Sequence, residues 1–237
     1  MIKTILFDLD GTLLPMDQEE FVKLYFGELA RTFAREFEPE QLTRSIWDAT
    51  KKMIQNGGEK KNEDVFWTRM SELYGNSIYD SIPAFDAFYH KEFQSIQKVC
   101  PANPKSRELI DRLKDNYSLI LATNPLFPAI ATKSRVAWAG LDETDFELIT
   151  TYENSRACKP SLVYYENILK EFDLDPSECL MVGNDVDEDM VCARLGMHVF
   201  LATDHLIDRS HTNINLFPHG NFDDLIEYLE WVNGKRL

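Results

Sequence analysis

Apolar residues follow two different periods along this chain. Ile2 to Phe7 is a short apolar run that stops at Asp8-Leu9-Asp10-Gly11-Thr12. A buried strand that delivers polar residues at its C-terminal end has this form. From about Met16 to Val99 the period becomes helical. Phe21, Tyr25, Leu29, Phe33 and Phe37 recur at every fourth position, which predicts a helix running towards Pro39. Leu42, Ile46 and Met53 predict a second helix, ending in the loop Asn56-Gly57-Gly58 between Lys51, Lys52 and Lys60, Lys61. Val65, Phe66, Met70 and Leu73 predict a third, closed by Gly75-Asn76, and Phe85, Phe88 and Phe93 a fourth. No strand is predicted in this block.

Strand and helix alternate after Pro101-Ala102-Asn103-Pro104. Residues 117–123, 146–150, 179–182 and 197–201 read as strands. Helices are predicted around Leu109 to Leu113, over 128–139 and 160–172, from 185 to Leu195, and along Phe222, Leu225, Ile226 and Leu229. Gly140 and Gly196 stand where helices close. Alternation of this kind implies parallel strands joined by right-handed crossovers. The pattern therefore predicts an α/β domain with an all-helical block inserted after its first strand.

Composition narrows the function. At 237 residues the chain is long enough for one domain plus an insertion, with a core that needs no disulfide or metal staple. Its formal net charge of -15 repels nucleic-acid phosphates and anionic membrane surfaces at long range, so no nucleic-acid or membrane partner is expected. A small phosphorylated substrate is compatible with that charge, because a local cation can reverse the local field. Cys100, Cys158, Cys179 and Cys192 include no CxxC pair, and are expected as buried thiols in a reducing compartment. No apolar run reaches the ~18 residues of a membrane span, and the start of the chain turns acidic too soon for a signal peptide. The expected location is cytoplasmic. Nothing in the sequence bears on oligomeric state.

In a parallel sheet, ligands bind at the carboxyl ends of the strands. The polar residues that follow the apolar runs are Asp8 and Asp10, then Thr123 and Asn124, then Asn184, Asp185 and Asp189. Lys159-Pro160 precedes a helix and can point into the same crevice. Carboxylates converging with one lysine are a poor way to stabilise a fold and a good way to hold Mg²⁺ with a substrate phosphate. Simpler structural roles are also open to them. Asp10-Gly11 is a common turn pair, Thr123 can cap a helix, and Asp185 can sit favourably at a helix N-terminus.

These motifs resemble those of the haloacid dehalogenase superfamily. Asp8-Leu9-Asp10-Gly11-Thr12 is similar to its first motif, Leu121-Ala122-Thr123-Asn124 to its second, Cys158-Lys159-Pro160 to its third, and Val182-Gly183-Asn184-Asp185 with Glu188-Asp189 to its fourth. They occur in the family's order. The resemblance implies a Rossmann-like parallel sheet with helices on both faces (residues 1–15 and 100–237) and an inserted helical cap domain (16–99). It also implies Mg²⁺ and a phosphatase acting on a small phosphorylated metabolite. Asp8 would be the nucleophile and Asp10 the general acid and base. Thr123, Asn124 and Lys159 would hold the phosphoryl group. Asp8, Asp10 (through its carbonyl) and Asp185 would ligate the metal. The family usually places Asp directly after the glycine of the fourth motif, where this chain has Asn184, so Asn184 is an alternative ligand to Asp185. Asp189 is expected behind them, orienting Lys159.

Asp10 argues against dehalogenation, as far as the resemblance goes. A halide leaves without a proton, whereas an alkoxide needs an acid. A sugar phosphomutase, or a non-catalytic relative that binds a phospholigand or a partner, remains an alternative. A phosphonate hydrolase would need a Schiff-base lysine from the insert, for which Lys51, Lys52, Lys60 and Lys61 are the candidates.

Overall fold

The structure is a computed structural model that describes residues 1–234. It contains a six-stranded parallel sheet in the order β3-β2-β1-β4-β5-β6. The strands are β1 (Thr4–Phe7), β2 (Ser118–Leu121), β3 (Leu148–Ile149), β4 (Cys179–Gly183), β5 (His198–Ala202) and β6 (His219–Gly220). Between β1 and β2 lie α1 (Gln18–Thr32), α2 (Pro39–Ile54), α3 (Asn62–Tyr74), α4 (Ile82–His90) and α5 (Pro104–Leu113). The later helices are α6 (Ala129–Trp138), α7 (Leu162–Glu171) and α8 (Phe222–Val232).

Side chains alternate across the sheet with the period of two that a strand imposes. Ile5, Phe7, Leu119, Leu121, Leu180, Val182 and Phe200 face one core, which also takes up the apolar sides of α5, α6 and α8. Leu6, Ile120, Met181, Val199 and Leu201 face the other, packed against α7 and the 3₁₀ turn Met190–Leu195. Helices thus cover both faces of the sheet. The first core runs without a break into the inserted helices, through Phe21, Tyr25, Leu29, Phe88 and Phe93.

The insert differs from its sequence pattern in two places. The first stripe does not make one helix to Pro39. α1 stops at Thr32, and residues 33–37 form a further turn in which the Phe37 N–H still donates to the Phe33 carbonyl at 2.9 Å. That bond preserves the spacing of the phenylalanines after the helix has ended. Glu38 then caps α2 by accepting from the Glu40 and Gln41 N–H groups, with Pro39 in the first turn, where its missing N–H costs nothing. The fourth stripe is also split. The chain turns at Lys91, and Glu92–Val99 is a 3₁₀ helix carrying Phe93 and Ile96 inward. Elsewhere, the segment expected as a helix up to Leu195 is a 3₁₀ turn, and β6 is a two-residue edge strand with no sequence signal.

A buried polar residue helps tie the insert to the loops that follow β2 and β3. Asn62, at the start of α3, is fully buried. Its amide donates towards the carbonyls of Ala157 and Pro125 and towards Cys158 Sγ at 3.2–3.4 Å, and its oxygen accepts from Asn56. Its backbone N–H donates to the Ser155 carbonyl. The start of α3 is therefore fastened to the loop that carries Lys159.

Candidate active site

The sheet order reverses at β1, with β2 on one side and β4 on the other, and the polar residues collect at that point. β1 ends at Phe7, so Asp8 and Asp10 emerge from its carboxyl end. Thr123 and Asn124 follow β2, and Asn184 and Asp185 follow β4. Gly11 turns the chain back at φ +86°, and a Cβ there would lie 2.3 Å from Asn184 Nδ2. Only glycine suits both the backbone angle and this approach. Gly183 is equally confined, since a Cβ would fall 2.1 Å from Asp189 Oδ2.

Lys159 is at the centre. Its side chain is 1% exposed, and Nζ donates to Asp8 Oδ1 at 2.8 Å and to Asp189 Oδ1 at 2.6 Å. Burial alone would push the ammonium towards neutrality, but the two carboxylates hold its pKa well above the usual lysine value. Burial pushes the Asp8 carboxyl up, and Lys159 pulls the other way. Asp189 also accepts from the Asp185 N–H at 3.0 Å, so it joins Lys159 to the loop after β4.

Asp10 is held by a residue that sequence reasoning missed. Arg135, on α6 and 1% exposed, donates to Asp10 Oδ2 and lies 4.5 Å over the Phe127 ring. Asp10 Oδ1 is buried with no hydrogen-bond partner among the described residues. Asn124 Oδ1 is in the same condition, while its Nδ2 donates to Glu188 Oε2 at 2.9 Å. Burial pushes the Glu188 carboxyl up to about 7, against the pull of Lys159.

The two candidates after β4 are oriented differently. Asn184 donates to the His205 carbonyl at 2.6 Å, which turns its amide oxygen towards Thr12 Oγ1 at 3.2 Å. The same hydroxyl lies 3.4 Å from Asp8 Oδ2. Asp185 is engaged on both oxygens. Oδ1 accepts from the Asp187 and Glu188 N–H groups, and Oδ2 accepts from Arg209 at 2.5 Å. Thr123 is pinned through its carbonyl, which accepts from Thr150 and Tyr164.

Asp8, Asp10, Thr123, Asn124, Asn184, Asp185, Glu188 and Asp189 line one cavity of about 310 Å³. Five carboxylates, those of Asp8, Asp10, Asp185, Glu188 and Asp189, meet three cations, Lys159, Arg135 and Arg209. This excess of hard, negative oxygen suits a hard divalent cation. Among the described residues no three His, Cys, Asp or Glu side chains gather as a ligand set, so such an ion would also draw on carbonyl, amide or water oxygens. Lys51, Lys52, Lys60 and Lys61 are exposed and do not line the cavity.

Similarity to known proteins extends over most of the chain. A profile of the haloacid dehalogenase-like hydrolases matches residues 2–195. A ribulose-1,5-bisphosphate 5-phosphatase of Halopiger xanaduensis is 26% identical over 201 residues, 81% of each chain. Two solved structures share the fold. A haloacid dehalogenase-type phosphatase of Thermococcus onnurineus has a TM-score of 0.58 at 18% identity, covering 96% of this chain and 98% of its own. A 2-haloacid dehalogenase of Pseudomonas syringae has 0.61 at 17%, covering 98% and 99%.

Proposed function

Since the chain belongs to the haloacid dehalogenase-like hydrolases, we propose that it is a phosphatase that cleaves the monoester of a small molecule through an aspartyl-phosphate on Asp8. The observation that carries this reading is the pairing of two unlike aspartates at one strand end. Asp8 is charge-balanced by buried Lys159, and Asp10 keeps one oxygen free beside it. A dehalogenase would have no use for the second. The phosphatase name of the Halopiger relative supports the same choice.

Asp8 attacks phosphorus in line, and the bond to the ester oxygen breaks. Asp10 gives that oxygen its proton from Oδ1, and the alcohol leaves. Arg135 grips Oδ2 and so fixes which oxygen carries the proton. Asp10, now a carboxylate, takes a proton from water as the water oxygen attacks phosphorus. The bond to Asp8 breaks, and inorganic phosphate departs. Lys159 offsets the negative charge on Asp8 throughout, and Thr123 with the Asn124 N–H holds the phosphoryl oxygens. Mg²⁺ would be held by Asp8, the Asp10 carbonyl and the loop after β4, through Asn184 or Asp185. It would supply charge neutralisation between nucleophile and phosphate. Residues 16–99 act as a cap that closes the reacting groups off from water.

The test is phosphate release from 4-nitrophenyl phosphate by wild type and Asp8→Asn. Activity is expected only in wild type, abolished by EDTA and restored by Mg²⁺. Equal activity in both proteins would remove Asp8 from the mechanism.

A further inference from the structure

The cavity has a second end, and its wall comes from the insert. α1 contributes Phe21, Tyr25 and Phe26, α2 contributes Trp47, and α3 and α4 contribute further aromatic side chains. Not one lysine or arginine of the insert lines it, and its charged lining residue is an acid, Asp86 on α4. Trp47 lies 5.2 Å from Phe26 between ring centroids and is 44% exposed, so an aromatic face is open at the wall.

A second phosphate group would need cations or free N–H groups at that end. The guanidinium of Arg209 is already paired with Asp185, and that of Arg135 with Asp10. The first N–H of α6, beside Pro128 of the wall, is also taken. The Ala129 N–H donates to both oxygens of Glu153, at 2.8 and 3.0 Å. Asp86 would repel a distant anion. An uncharged ring meets none of these penalties, buries apolar area and finds rings to pack against.

Resting on the phosphatase reading above, we infer that the substrate is the phosphate monoester of an apolar, ring-bearing alcohol, and that sugar bisphosphates are excluded by the insert wall. The test compares 3-phenylpropyl phosphate, glycerol 3-phosphate and fructose 1,6-bisphosphate on the full chain with Mg²⁺. All three release a primary alkoxide, so intrinsic reactivity does not decide the ranking. Burying a phenyl-sized group predicts kcat/KM about 10- to 100-fold higher for the phenylpropyl ester than for glycerol 3-phosphate, with the bisphosphate lowest. Trp47→Ala should reduce that preference several-fold. Hydrolysis that requires Asp8 but favours the bisphosphate, or ranks all three equally, would overturn the substrate class and leave the phosphatase standing. If none of the three is hydrolysed, 4-nitrophenyl phosphate alone decides the phosphatase reading, and calorimetry decides the cavity on its own. Tighter binding of 3-phenylpropyl phosphate than of the bisphosphate supports the apolar wall, and the reverse order, or no binding, overturns it.

Discussion

Lys159→Met is the most informative perturbation of the site, because one cation serves two buried carboxylates. At 2.8 and 2.6 Å, with an effective dielectric constant near 20, each pair is worth about 6 kcal/mol before desolvation. Desolvation of all three groups cancels much of that. Methionine fills the volume but leaves Asp8 and Asp189 without their cation, and breaking a buried pair from one side costs about 3–5 kcal/mol. A total stability of about 5–15 kcal/mol makes this a large share. For a chain of this size it lowers Tm by roughly 10 °C. The assay is a thermal melt at pH 7 in EDTA, so that no divalent ion takes the place of the ammonium. Lys159→Met with Asp189→Asn should recover part of the loss, since one orphaned charge is then removed. The sign with pH also follows. Both orphaned carboxyls have raised pKa values in the folded variant, so it loses stability as pH rises through the carboxylate range. The deficit against wild type should be smaller at pH 5 than at pH 8. A variant that melts within ~2 °C of wild type, or a double variant no more stable than the single, would refute the account.

Two further outcomes are expected. Arg135→Met should lower turnover of an alkyl phosphate about 10²-fold and that of 4-nitrophenyl phosphate much less, because nitrophenolate leaves without a proton. An equal loss on both would mean that Arg135 does not act through Asp10. At alkaline pH the fold should fail. Burial pushes Cys100, Cys158 and Cys192 up to about 12 and Cys179 to about 11, and raises Tyr25, Tyr89, Tyr152, Tyr164 and Tyr165 above the usual phenol range. The unfolded chain loses these protons first, so the stability these thiols and phenols contribute is level below about pH 9 and falls as pH rises beyond it. Melts from pH 7 to 11 check this, with the share of tyrosinate absorbance that belongs to these five buried residues rising only at unfolding, after exposed phenols such as Tyr79 have ionised. Thiols that react with a disulfide reagent in native protein at pH 8 would contradict it.

What could be read from the sequence was what local pattern encodes. The strand ends are legible because a buried parallel strand is a short apolar run, and a polar residue directly after it has few structural reasons to be there. Asp8, Thr123 and Asn184 were found that way, and the structure brings them to one cavity. Arg135 left no such signal. It lies in a helix, 125 residues from Asp10, and its neighbours in sequence say nothing of a partner that only the fold supplies. Asn62 is similar: no pattern in the sequence marks it, and only the fold makes it a buried tie to the loop before Lys159.

In the loop after β4, charge and placement point to different residues. Charge alone favours Asp185 as the metal-facing group. In the fold its carboxylate caps two N–H groups of its own loop and takes Arg209, while the amide of Asn184 is turned towards the Thr12 hydroxyl that Asp8 shares. A negative charge is drawn first to the nearest unpaired donors, and in a loop that opens into a turn these are its own backbone N–H groups. A neutral amide has less to gain there and is left free to be oriented by His205. The residue with less charge can therefore be the one better placed to face a cation. Asn184→Asp and Asp185→Asn separate the two roles, because only the true ligand should change the Mg²⁺ concentration needed for half-maximal activity.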